Sequence, residues 1–261
     1  MKHKKLKNLF IGLVFFFLYL PIIILVIYSF NTSKMNIIFE GFTFDWYKHL
    51  FENKELLEAF FNTMLIAVVS TTVSVVVGTI GAVGLKRYDF PFKELINKLI
   101  YIPIVIPEIV LGISLLSIYT LMKFELGLGT LILSHIAFSI PFVIVSVRST
   151  FNDSLKNLEE AAQDLGADRF KIFFEIILPQ IMPGVVSGAL LAFTLSMDDV
   201  VVSYFTAGPG SNTLPLKIYS TIKTGITPDV NALTTLMLIV TFTVLTTTAF
   251  VQSRRIARRA K

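Results

Sequence analysis

The sequence predicts an all-α polytopic membrane protein with six transmembrane helices and both termini cytoplasmic. Three observations predict it. The chain of 261 residues is 54% hydrophobic and 16% charged, whereas soluble domains are about 45–50% apolar and ~25% charged. Six apolar segments are near the roughly 20 residues that cross a ~30 Å hydrocarbon core. The Lys and Arg residues gather beside these segments, which is a membrane pattern, so the net charge of +5 does not point to nucleic acid.

The expected spans are Leu9–Phe30, Ala59–Leu85, Leu99–Met122, Thr130–Val147, Ile181–Phe205 and Asn231–Val251. Lys2, Lys4, Lys5 and Lys7 before the first span suggest a signal peptide. Its apolar run is longer than the usual ~7–15 residues and no small-x-small site follows, so it reads as an uncleaved span. With both ends inside, 17 Lys and Arg fall inside. These are the four just named; Lys86, Arg87, Lys93 and Lys98; Arg148, Lys156, Arg169 and Lys171; and five in the tail from Arg254. Six fall outside: Lys34, Lys48, Lys54, Lys123, Lys217 and Lys223. That asymmetry sets the orientation. The fourth span is the shortest. In the second, Ser70, Ser74, Gly78, Gly81 and Gly84 are spaced for close helix approach, equally well suited to internal packing and to a subunit seam. The outer loop after the first span has cap candidates Thr43 and Asp45 before Trp46, Tyr47 and His49. In the last outer loop Pro215 fits the start of a short helix.

Residues 150–179 form the charged loop inside a single transmembrane domain, 1–261. Two helices and a glycine hinge are expected there. Asn152 or Asp153 caps the first, which places Leu155, Leu158, Ala162 and Leu165 on one face. Gly166 suits the left-handed position past its end. Asp168 caps the second, with Phe170, Phe173, Phe174 and Ile177 at i, i+3, i+4, i+7, and Pro179 closes it.

The chain lacks a phosphate loop, an H-E-x-x-H pair and a nucleophile elbow, so it is not expected to be an enzyme. Any ATP hydrolysis belongs to a partner. There are no cysteines, and His3, His49 and His135 lie far apart without ligand spacing. No metal or cofactor is expected. Three charges fall inside spans: Glu108, Asp198 and Asp199. Ionisable groups there are costly and commonly face a bundle interior or aqueous path. No Lys or Arg lies deep enough to pair with them, so a passing cation would relieve the cost. The alternative is that they bond across helices or sit at a wet helix end. Adjacent helix positions differ by about 100°, so Asp198 and Asp199 cannot both point straight into one pore. Ser196 adds an acceptor two positions earlier. Pro103, Pro107 and Gly112 bracket Glu108; Pro183, Gly184 and Gly188 open the fifth span. Such breakers are tolerated where backbone lines a cavity or packs on protein. Trp46, the single tryptophan, fits either an interfacial belt or a cation-binding face.

Glu160-Ala161-Ala162, three residues, Gly166, nine residues, Ile176, one residue, Leu178-Pro179 resembles the EAA loop of ABC-importer permeases. Pro21–Leu25, Ser29–Asn31, Ser196–Ser203, Leu214–Ser220 and Val230–Leu233 resemble the permease subunits of spermidine/putrescine importers, over nearly the whole chain. The resemblance implies a type I ABC importer permease fold in a bacterial cytoplasmic membrane, and polyamine import. It also implies a homologous second permease, two ATPase subunits docked on the 150–179 loop and an extracytoplasmic polyamine-binding protein. Glu160, Ala161, Ala162, Gly166, Leu178 and Pro179 would then belong to the ATPase contact. Glu108, Asp198, Asp199, Trp46 and Ser196 would belong to the substrate pathway. Glu108 stands where that family would have Asp, and Arg169 is more basic than the pattern. Other readings are an importer of ferric ion or an organic cation, a proton- or sodium-coupled carrier, and a non-transporting membrane subunit. An amphipathic helix on the lipid surface is the rival for 152–164, but Glu159, Glu160 and Asp164 make its polar face acidic.

Overall fold

A computed structural model describes residues 2–33, 38–221 and 228–259. Lys34, Lys223 and Lys261, used in the charge count, lie outside them. The helices in chain order are α1 (Lys2–Tyr28), α2 (Asp45–Glu52), α3 (Lys54–Arg87), α4 (Lys93–Leu99), α5 (Ile102–Val105), α6 (Glu108–Leu121) and α7 (Leu128–Arg148). They continue with α8 (Asp153–Asp164), α9 (Arg169–Lys171), a π turn (Ile172–Ile177), α10 (Leu178–Asp198), α11 (Val201–Thr206), α12 (Leu214–Thr221) and α13 (Pro228–Arg259). Four helical stretches are long and apolar enough to cross a membrane: Leu6–Tyr28, Lys54–Arg87, Leu128–Arg148 and Arg169–Asp198. A fifth crossing exists if α4–α5 and α6 count as one broken span, while Pro228–Thr243 is a shorter apolar run within α13.

The chain forms two compact units, Met1–Leu57 with Ile218–Lys261, and Glu58–Lys217. In the first, none of the described α1 side chains is buried, as expected of a helix solvated by lipid. Its outer loop is tied by Asn31, whose amide donates to the Ile38 carbonyl (2.7 Å) and accepts from Glu40 N–H (2.9 Å). Thr43 Oγ1 accepts from Asp45 N–H at 3.1 Å, ahead of α2. Asn53 links α2 to α13 through Asp229 Oδ2 at 2.8 Å.

In the second unit α7 and α10 pack closely, and glycines permit it. A Cβ on Gly184 would lie 2.8 Å from the Ser146 carbonyl oxygen and 2.7 Å from Thr150 Cγ2. In the small stripe of α3, Ser74 and Gly78 serve internal packing, since Gly78 lies against Val143 and Ser74 Oγ reaches the Ile136 carbonyl at 3.4 Å, while Gly84 faces open space. The core beneath includes Ala82, Val143, Val147, Ile177, Ile181 and Ala192.

Three sequence expectations need correction. The third span is not one helix: its halves meet at 110° across Ile106-Pro107. Pro107 supplies no N–H and pushes Ile106 into extended backbone (φ −66°, ψ 135°). The fifth span is not continuous to Phe205 either. α10 stops at Asp198, Asp199 is extended (φ −65°, ψ 123°), and α11 begins afresh. Conversely, Pro179 does not end its helix. The π turn gives Leu178 N–H the Phe173 carbonyl, five residues back, and Arg169–Asp198 runs through as one helical stretch. A widened turn relieves the register conflict that a proline imposes on a regular helix.

Candidate functional site

The two helix breaks face one cavity of about 510 Å³ in the second unit. One wall is Pro103, Ile106, Pro107 and Glu108, from the break between α5 and α6. Another is Leu195, Asp198, Asp199 and Val200–Val202, from the break between α10 and α11; Phe138 and Phe142 of α7 close the side. The breaks are held together through α6 and α11, where buried Gly112 lets the Phe205 ring approach. A Cβ there would sit 2.6 Å from Phe205 Cδ2.

The three carboxylates have different electrostatic settings. Glu108 is the first residue of α6, where the positive helix end favours a negative side chain. Asp199 lies at the start of α11 and is bound there: it accepts from Val202 N–H (3.1 Å), Ser203 N–H (2.7 Å) and Ser203 Oγ–H (2.7 Å). Asp198 ends the 21-residue α10, where the helix dipole is negative. Glu108 and Asp198 are exposed, and no Lys or Arg lines the cavity among the described residues. A carboxylate at a negative helix end, with no cation beside it, favours a positively charged visitor.

The expected pathway residues are therefore only partly gathered. Glu108, Asp198 and Asp199 share the cavity, with the Asp199 side chain 5% exposed. Ser196 is buried behind it, bonded to His135 Nδ1 (2.7 Å) and Ser70 Oγ (3.3 Å). Trp46 lies in the first unit. Its indole N–H donates to the Asn31 carbonyl at 2.6 Å, and its ring is half-buried beside His49. His135 escaped the sequence reading. Its signal in the sequence is an ionisable residue inside the apolar stretch Thr130–Val147, without the spacing to another histidine that marks a metal ligand.

The loop at 150–179 is built from its caps. Asn152 accepts from Leu155 N–H at 2.9 Å to start α8. At its end Gly166 N–H reaches the Gln163 carbonyl (2.9 Å) and Ala167 N–H the Ala162 carbonyl (3.0 Å), with Gly166 at φ +79°. That pair of bonds and the left-handed glycine form a Schellman motif. Asp168 accepts from Phe170 N–H (2.6 Å) and Lys171 N–H (3.1 Å) to restart the helix. The apolar faces differ from the expected ones. Leu155 is buried and Ala162 half-buried, but Leu158 and Leu165 are exposed. Beyond the hinge the π turn shifts the inward set to Ile172, Phe173, Ile176 and Ile177, leaving Phe170 and Phe174 outside. Ala162, Leu165, Gly166 and Asp168 line a cleft of about 410 Å³. Glu160 is exposed, with Lys156 at 3.7 Å, and Ala161 is exposed. Leu178 is half-buried and Pro179 exposed further along, where the stretch enters α10. One tether was not foreseen: Glu159 forms an ion pair with Arg87 at the end of α3, both side chains less than one-fifth exposed (17% and 14%).

Residues 74–261 match the model of the binding-protein-dependent transport system inner membrane component, and the chain belongs to that family. It is similar to the spermidine/putrescine transport system permease protein PotC of Escherichia coli (strain K12). They are 45% identical over 90% of this chain and 89% of the relative. It is also similar to the putrescine transport system permease protein PotI of the same strain, 39% identical over 86% of this chain and 82% of that one. Among solved structures, a bacterial alginate ABC transporter complexed with its pentasaccharide-bound periplasmic protein shares the fold. The TM-score is 0.70, with 19% identity, over 96% of this chain and 93% of that one.

Proposed function

We propose that this chain is the permease subunit of an ATP-driven importer that moves polyamines, spermidine and putrescine, into the cytoplasm of a bacterium. The observation that carries the reading is the cavity between two broken helices, holding Glu108 and Asp198 with no Lys or Arg in its wall among the described residues. The names of the two relatives supply the solute class. Polyamines carry charges spaced along a flexible chain, so two separated carboxylates suit them better than one compact site.

Six spans, cytoplasmic termini and one half of a pore complete the proposal. A homologous second permease covers the exposed carboxylates and supplies the other half. Two ATPase subunits dock on 150–179, with Glu160, Ala161, Ala162 and Gly166 at the contact, and an extracytoplasmic protein delivers solute. ATP binding moves α8, and the stretch from Arg169 to Asp198 carries the motion directly to the cavity, because it is one helical stretch. Transport is by alternating access.

The test is uptake of labelled spermidine into vesicles bearing the assembled complex, with putrescine, ferric ion or a quaternary ammonium as competitor. ATP-dependent uptake that putrescine alone suppresses supports the reading. Suppression by ferric ion or the quaternary ammonium alone would transfer it to an importer of that cation. Uptake abolished by an ionophore with ATP present would indicate a coupled carrier.

A further inference from the structure

Asp198 and Asp199 are sequence neighbours with opposite surroundings, and a buried chain of side chains separates their roles. His135 of α7 is 1% exposed. Its Nδ1 lies 2.7 Å from Ser196 Oγ of α10, and its Nε2 lies 3.1 Å from Ser203 Oγ of α11 and 3.5 Å from Asp199 Oδ2. Ser196 Oγ is 3.3 Å from Ser70 Oγ of α3. One neutral tautomer satisfies every group. With the proton on Nε2, Ser196 donates to Nδ1 and accepts from Ser70, whose hydroxyl turns to it from the Ala67 carbonyl at 3.4 Å. Nε2–H donates to Ser203, and Ser203 donates to the Asp199 carboxylate. The chain runs in one direction and ends on the carboxylate that caps the first turn of α11.

We propose that His135 is a positioning residue of the import pathway: bridging Ser196 and Ser203, it keeps Asp199 locked on α11, which holds the α10–α11 break open and leaves Asp198 to face the solute. The proposal rests on the polyamine pathway described above. Asp199 is the residue at which α10 would otherwise run on into α11, and its carboxylate takes the Val202 and Ser203 N–H groups that continuation would claim. Any buried histidine needs partners on its ring nitrogens to offset desolvation, so the location of those partners carries the argument. Here the partners are the helix on one side of the break and the helix on the other.

The chain has no cysteine, so a single Val200→Cys in the cavity wall reports on the break through its rate of modification by a small cationic thiol reagent. The measurement uses the complete complex in membranes with modification read on this chain, and spermidine uptake is recorded against concentration in matched preparations that keep Val200. His135→Ala should slow modification several-fold and raise the apparent KM about tenfold, while the complex still assembles. His135→Gln, whose amide nitrogen reaches Ser203, should recover most of both. Unchanged modification and KM in His135→Ala overturn the proposal, as does an equal loss in His135→Gln. If His135→Ala fails to assemble, Ser203→Ala decides. It should shift both readings in the same direction by a smaller factor, and wild-type values refute the idea. Modification does not depend on the solute. A complex that imports no polyamine, yet whose thiol modification in the Val200→Cys background still responds to His135→Ala, would sink the polyamine reading and leave the geometric part standing.

Discussion

Arg87→Ala should loosen α8 without unfolding the bundle. The guanidinium comes from the last turn of α3 and meets Glu159 in the middle of α8, both side chains mostly buried. Two unit charges about 4 Å apart interact by ~4 kcal/mol at an effective dielectric near 20. Desolvation takes back part of that, and hydrogen bonds to charged groups are worth about 1.5–3 kcal/mol net. About 2 kcal/mol is therefore at stake. α8 is otherwise tethered by the Asn152 cap, the Schellman turn at Gly166 and the packing of Leu155 and Ala162. Losing ~2 kcal/mol corresponds to roughly 30-fold faster local opening, read by amide hydrogen exchange along α8. Glu159→Ala should give a similar acceleration, and the double variant should be little worse than either single one, because the partners share one interaction. Amides of α7 should keep their protection. Uptake should fall while ATP hydrolysis persists, since the helix would yield instead of transmitting. Unchanged α8 exchange in Arg87→Ala, or fully additive effects of the two substitutions, would refute this reasoning.

Gly166→Ala tests the hinge alone. Nothing lies within 4 Å of the added Cβ, so the cost is the left-handed backbone at φ +79°, about 1 kcal/mol, seen as faster exchange of the last turn of α8. Gly184→Ala tests packing alone. The new methyl lies 2.8 Å from the Ser146 carbonyl oxygen, so α7 and α10 must separate, and thermal stability of the purified complex should fall by roughly 1–3 kcal/mol. Gly84→Ala, inside α3 with open space at its Cβ, is the control and should keep stability or raise it by about 0.5–1 kcal/mol.

Local chemistry was readable from sequence wherever one side chain determines one backbone group. Asn152, Gly166 and Asp168 each act on a backbone group within three residues of themselves and do what their types predict, whereas neither Thr43 nor Asp45 caps α2: its N-cap is Phe44, and Thr43 bonds the Asp45 N–H ahead of it. Proline was harder. Pro107 breaks a span and Pro179 does not, because a π turn one residue before Leu178-Pro179 absorbs the conflict, and residue type alone does not announce a π turn. The same turn rotated the inward face, exposing Phe170 and Phe174 where a regular 3.6-residue repeat would bury them. Long-range pairing was invisible. Arg87 and Glu159 are 72 positions apart, and Ser70 and Ser196 are 126 apart. The acidic pair shows both limits. Its placement inside an apolar span marked it as unusual, while the separate settings of Asp198 and Asp199 depend on where α10 stops.

In the proposed pathway Asp198 presents its charge to a cationic solute on the way through. The direct measurement is ATP-dependent uptake of labelled spermidine by the assembled complex carrying Asp198→Asn, which keeps the size of the side chain and removes its charge. Losing about 1.5–3 kcal/mol of charge-assisted bonding predicts an apparent KM raised roughly 10- to 150-fold, with assembly and solute-independent ATP hydrolysis intact. A wild-type KM and maximal rate in that variant would contradict the account.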